Sequence, residues 1–143
     1  MTTERAGAAD LTYGFARTLA VGFDEAIVRV TEALKAEGFG VLTTIDVRAT
    51  MKTKLDVEFP PYMILGACNP PLAHRALSTD PDVGLLLPCN VVVRALPAQH
   101  GQPCTRVEVV DPESMLAVAS SAELAAIAHE ARVRLERVIV ALS

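Results

Sequence analysis

"SAELAAIAHEARVRLERVIVALS", residues 121–143, is the stretch on which the reading of the fold turns. Leu124, Ala128, Ala131, Leu135, Val138 and Leu142 recur at spacings of 4, 3, 4, 3 and 4. That period places one apolar seam along a long helix. Ser121 precedes the run as an N-cap, although Leu124 three residues on leaves the capping box incomplete. A seam of this length fits a coiled-coil partner or a sheet beneath it. A helix laid across a sheet is the expected use, provided the chain upstream supplies strands.

Five stretches read as strands. Leu11 to Val21 alternates loosely through Tyr13, Phe15, Leu19 and Val21. "VLTTIDV" from Val41 is rich in β-branched residues. "PYMILGACN", "VGLLLPCNVVVRAL" (bent at Pro88) and "CTRVEVVDP" from Cys104 follow. The last two form a hairpin around the turn "PAQHGQP", Pro97 to Pro103. Between the first two strands, "GFDEAIVRVTEALKAEGFG" is a helix with Asp24 as its expected N-cap and Gly38 as its stop. Its apolar stripe is Ala26, Ile27, Val30, Ala33 and Leu34. Asp46 caps a short helix with Val47, Met51 and Leu55 on one face, "NPPLAHRALSTDP" is another, and Pro112 opens a third.

The bulk properties narrow the function classes. At 143 residues the chain is expected to form one domain over residues 11–143, with residues 1–10 a flexible N-terminus. Apolar residues make up 51% and aromatic ones 4%, so the core must be aliphatic. The mean hydropathy of +0.34 suggests that some apolar surface is buried between subunits. A net charge of −4 and no basic cluster with interleaved aromatics disfavour nucleic acid. No apolar run approaches ~18 residues, so no membrane span is expected. "MTTERAGAAD" lacks the apolar core of a signal peptide, and the three cysteines lack C-x-x-C spacing. Both point to reduced thiols in a cytoplasm.

The chemically distinctive feature is an echo. "ILGACNP", Ile64 to Pro70, is answered by "LLPCNVVV", Leu86 to Val93. Asn69 before Pro70 and Pro71 has a structural explanation, since Asn caps helices and Pro is favoured just inside them. Gly66 and Pro88, however, sit where a strand ladder is expected to break, at a bulge or a close approach. If the two strands are neighbours, Cys68, Asn69, Cys89 and Asn90 meet at an indentation. His74, His100 and His129 lack ligand spacing to either cysteine, so no metal site is expected. Arg48, Lys52 and Lys54 read as a solvated helix face, and Cys104 as a strand residue. There is no G-x-S-x-G, P-loop or G-x-G-x-x-G.

The stretch from "GFGVLTTIDV" through "ILGACNPPLAHRAL" and "GLLLPCNVVV", with "VEVVDPESML" and "ELAAIAHEARVRLERVI", resembles domain of unknown function family 302. The likeness covers nearly all of the chain after residue 10. "ALPAQHGQPC" departs from it as a longer or variant hairpin turn, so His100 and Cys104 inherit no family role. The resemblance implies an α+β domain with a curved, mainly antiparallel sheet, helices on one face, and self-association as a dimer. It implies no known reaction, and any cofactor is unknown. Three readings follow. The first is a homodimeric cytoplasmic module that binds a small hydrophobic ligand near Cys68, Asn69, Cys89 and Asn90. The second is a thiol-dependent redox enzyme or sensor using Cys68 and Cys89. The third is a structural or interaction protein without a small-molecule site, associating through a face such as the terminal helix.

Overall fold

In the computed structural model, which describes residues 8–142, the strands join in one open antiparallel sheet. They are β1 (Ala8–Asp10), β2 (Gly14–Leu19), β3 (Gly40–Asp46), β4 (Tyr62–Cys68), β5 (Cys89–Gln99) and β6 (Gln102–Val110). Their spatial order is β1-β2-β6-β5-β4-β3. The helices are α1 (Phe23–Ala36), α2 (Val47–Leu55), α3 (Pro70–Thr79), α4 (Pro112–Leu116) and α5 (Ala122–Ala141). The expected five strands are present, and three-residue β1 adds a sixth at the edge, paired with β2. Most of the expected flexible segment 1–10 lies outside the described residues.

Strand alternation separates the two faces of the sheet. Phe15 and Leu19, Leu65 and Ala67, Cys89, Val91 and Val93, and Val107 and Val109 are buried in one cluster with the helices. The intervening residues face the other way. There Glu108 accepts from Arg94 Nε at 3.2 Å and from Arg106 Nε at 3.1 Å. Cys104 sits in β6 opposite Leu96, a strand residue as expected.

α5 lies against the apolar face. Leu124, Leu135 and Val138 are wholly buried, and the whole seam is inside the subunit. Each such Leu or Val stabilises by roughly 1.5–3 kcal/mol. Polar atoms fix the helix on the sheet as well. Arg17 Nη1 donates to Ile139 O at 3.4 Å, and the Arg132 guanidinium lies 5.0 Å from the centre of the Phe15 ring. α1 adds Ala26, Val30 and Leu34 to the core.

Several local expectations are corrected. α1 starts two residues earlier than Asp24 predicts, with Gly22 at the N-cap and no side-chain cap bond. Asp24 and Glu25 instead occupy the positive first turn. Residues 83–86, expected as the start of a strand, lie instead in a 3-10 turn, Pro81–Leu86. Asp80 caps it through Asp82 N and Pro81 presets its first backbone angle, so Asp-Pro outweighs the apolar run behind it. The hairpin turn is tighter than Pro97 to Pro103. Only His100 and Gly101 turn, both with positive φ (53° and 76°), the pattern of a type I′ hairpin. α2 is capped by Asp46 as expected, but buries none of its side chains, and Leu55 is exposed.

Candidate functional site

The site grows from the point where β4 becomes α3. Asn69 Oδ1 accepts from Leu72 N at 3.2 Å, and Asn69 O accepts from Ala73 N at 2.9 Å. Pro70 and Pro71 have no N–H to satisfy. The asparagine is thus held as a cap, and it is buried. Its amide also meets the end of α1. Gly38, at φ +86°, leaves so little room that a Cβ there would stand 2.9 Å from Asn69 Nδ2. From α5, Arg134 Nη1 donates to Glu37 O at 3.1 Å, closing the same corner.

β4 and β5 are neighbours, and Ala67 pairs with Cys89. Cys68 is therefore diagonal to Cys89, and both thiols are free. Gly66 makes room for a close approach of two neighbours beside them. A Cβ on it would lie 2.6 Å from Thr43 Cγ2 and 3.0 Å from Pro88 Cγ. β3, irregular between Val41 and Thr43, and the residue before Cys89 both press on that glycine. Gly66→Ala should therefore destabilise the fold by about 1–3 kcal/mol, as overpacking does. A urea midpoint unchanged by this variant would contradict the close approach.

Beside the two cysteines lies a cavity of about 410 Å³. Ala67, Cys68, Asn69 and Cys89 line it from the sheet end. Leu72, Ala73 and Ala76 come from α3, Met115 and Leu116 from α4, and Ile127 and Ala131 from α5. Phe39, Leu42, Thr43 and Pro88 line it near the β3 edge. No acidic, basic or histidine side chain is among the lining residues. Of the residues singled out in sequence, Cys68, Asn69 and Cys89 come together here. Asn90 does not: it is exposed and opposite Gly66, on the other side of the strand from Cys89. The helix-borne lining was missed. The small residues Ala73, Ala76 and Ala131 leave space there that larger side chains would fill, but nothing local in the sequence groups them.

α4 forms one wall and is tied down by charge. Asp111 caps it by accepting from Glu113 N at 2.9 Å and Ser114 Oγ at 3.1 Å. The same carboxylate accepts from Arg132 Nη1 of α5 at 2.9 Å. Glu113 Oε2 lies 2.7 Å from His129 Nδ1.

The environment keeps the thiols protonated. Burial pushes the Cys89 thiol up to about 11, with the neighbouring Cys68 adding to the shift. Burial also raises Cys68. A thiol that holds its proton is a poor nucleophile. Folded Cys89 keeps a proton that the unfolded chain has lost, so its contribution to stability is intact below about pH 9 and is lost as pH rises towards 11. Stability of the parent chain should fall more steeply across that window than stability of Cys89→Ala. Parallel slopes in urea titrations would remove the assignment.

None of the three histidines lines the cavity. Among the described residues no His, Cys, Asp and Glu cluster is able to hold a metal ion. In the basic patch of α2, Lys52 pairs with Asp56 at 2.9 Å and Glu58 at 3.2 Å in solvent.

Two comparisons bear on this geometry. Residues 15–142 match the family model described as "Domain of unknown function DUF302". The crystal structure of an uncharacterized conserved DUF302 protein from Bacillus stearothermophilus is 30% identical, with a TM-score of 0.81. The alignment covers 93% of this chain and 100% of that one. No curated protein matches.

Proposed function

The chain belongs to the DUF302 family, and from its cavity we propose that it is a binding module for a small hydrophobic molecule. The observation that carries this reading is the combination of volume and lining. About 410 Å³ falls within the range of small-molecule sites, and the walls are largely apolar, with Thr43, Asn69 and the two thiols as the polar side chains. The cavity lies between sheet and helices, and α3, α4 and α5 supply much of its lining. The module is proposed to act as a homodimer in a reducing cytoplasm. Leu42 and Leu85, 70% and 90% exposed, support apolar association of some kind, and the free cysteines suit a reducing compartment. No helix among the described residues is long and apolar enough to cross a membrane.

The thiol-enzyme reading draws less support. Both thiols are pushed towards the protonated form, and the cavity has no base to activate them. Cys89 is expected to alkylate more slowly at neutral pH than a free thiol does. Faster labelling, read by mass spectrometry of the intact protein, would revive the redox reading.

The binding proposal is tested by thermal melting against a panel of small apolar, aromatic and charged molecules. A saturable rise in Tm with at least one apolar probe is expected, because a ligand that binds only the folded state stabilises it. A panel that never moves Tm would overturn the proposal. Native mass spectrometry of freshly purified, non-reduced protein then reads subunit number and any bound mass together; a bare monomer would overturn the homodimer.

A further inference from the structure

We propose that the ligand of this cavity is an uncharged aliphatic molecule, such as a medium-chain alcohol or ester, and that the site rejects the corresponding carboxylate. The inference rests on the binding reading above and specifies its chemistry.

Three observations exclude an anion. First, among the described residues no cationic side chain lines the cavity. A carboxylate buried there would lose its water without gaining a counter-charge, which is among the costliest events in a protein interior. Second, the helix N-terminus beside the cavity offers no free donors. Helix starts ordinarily attract anions through unpaired N–H groups. In α3 the first two residues are Pro70 and Pro71, which have none. The next two N–H groups, of Leu72 and Ala73, are already taken by Asn69 Oδ1 and Asn69 O. Third, the side-chain donors that remain, the Asn69 amide, the Thr43 hydroxyl and thiols that burial keeps protonated, are all uncharged, so none of them supplies a counter-charge.

A cation fares no better, because no carboxylate lines the walls. Planar aromatic ligands find little stacking surface, since among the described residues Phe39, itself 2% exposed, is the one aromatic side chain in the lining. Aliphatic walls remain, and they continue outward. Leu42 and Leu77 line the cavity yet are 70% and 41% exposed, so the apolar surface runs from the interior to the rim. A chain is suited to that shape, with its neutral polar end left at the rim.

The experiment compares decanol, decanoate, decylamine and naphthol as probes in thermal melts and equilibrium binding at pH 8. Decanol is expected to bind at least tenfold more tightly than decanoate, decylamine or naphthol. Ala73→Lys, which places an ammonium group on a partly exposed lining position, is expected to shift the preference towards decanoate by at least tenfold. Ala73→Met offers a second variant that fills space without charge, and should weaken decanol at least fivefold. Binding of decanoate, decylamine or naphthol as tight as that of decanol in the parent chain would overturn the inference while leaving a binding module in place. No Tm shift with any probe would overturn both.

Discussion

Replacing Leu135 with glutamate is expected to unfold the subunit. Leu135 is fully inaccessible, at the centre of the α5 seam and packed in the cluster that joins α5 to the sheet. Truncation alone, as in Leu135→Ala, should cost about 2–5 kcal/mol from lost burial and the cavity left behind. Glutamate adds an unpaired charge in the same apolar place. Against a total stability of about 5–15 kcal/mol, the sum removes most or all of the folded population. Far-UV circular dichroism and size-exclusion chromatography read the outcome together. Loss of cooperative melting places the seam in the core of the monomer. A folded, cooperatively melting monomer derived from a parent dimer would mean that the seam faces a partner, contrary to its packing on β2 and α1.

That seam was legible because it obeys a local rule. Six residues at helical spacing declare one apolar face, and the sheet beneath is the surface available to it. The caps at Asp46, Asn69 and Ser121 were legible for the same reason, since an Oδ or Oγ and an N–H three residues on need nothing from the rest of the chain. Asp24 shows the limit of that rule: a good capping residue does not fix where the helix begins when Gly22 and Phe23 also accept the geometry. The 3-10 turn at Pro81 shows it again, with Asp-Pro overriding an apolar run. The Cys-Asn echo was legible as chemistry but misleading as geometry. Cys89 and Asn90 are successive strand residues, so the two-residue period sends them to opposite faces. Asn69 escapes that constraint because β4 ends at Cys68 and the chain turns into α3. The cavity itself was the least legible part. Its walls come from α3, α4 and α5, separated by tens of residues, and no local pattern in the sequence says that Ala76, Met115 and Ala131 share one space.

Asp111→Ala is expected to be the most damaging polar substitution in the chain. The carboxylate is 10% exposed and holds three donors at once, Glu113 N, Ser114 Oγ and Arg132 Nη1. Loss of the cap alone costs about 1 kcal/mol. Removing one partner of a buried ion pair costs about 3–5 kcal/mol. That figure needs a discount here. Arg132 is one-third exposed, and Glu113 Oε1 and Glu136 Oε2 already stand 3.7 Å and 3.6 Å from its guanidinium, ready to take part of its charge. A net loss of about 2–3 kcal/mol is therefore expected in urea denaturation at neutral pH. Asp111→Asn keeps an oxygen for the α4 cap and should recover about 1 kcal/mol of that loss. The effect should reach the cavity, because Pro112, Met115 and Leu116 on α4 line it and the anchor of that wall is Asp111. Decanol binding should weaken in Asp111→Ala by more than in Ser114→Ala, which removes one contact and leaves the ion pair. Equal binding in the two variants, with stability lost only in the first, would show that α4 keeps its place without the carboxylate. The Asp111–Arg132 pair would then hold the fold together without shaping the cavity wall.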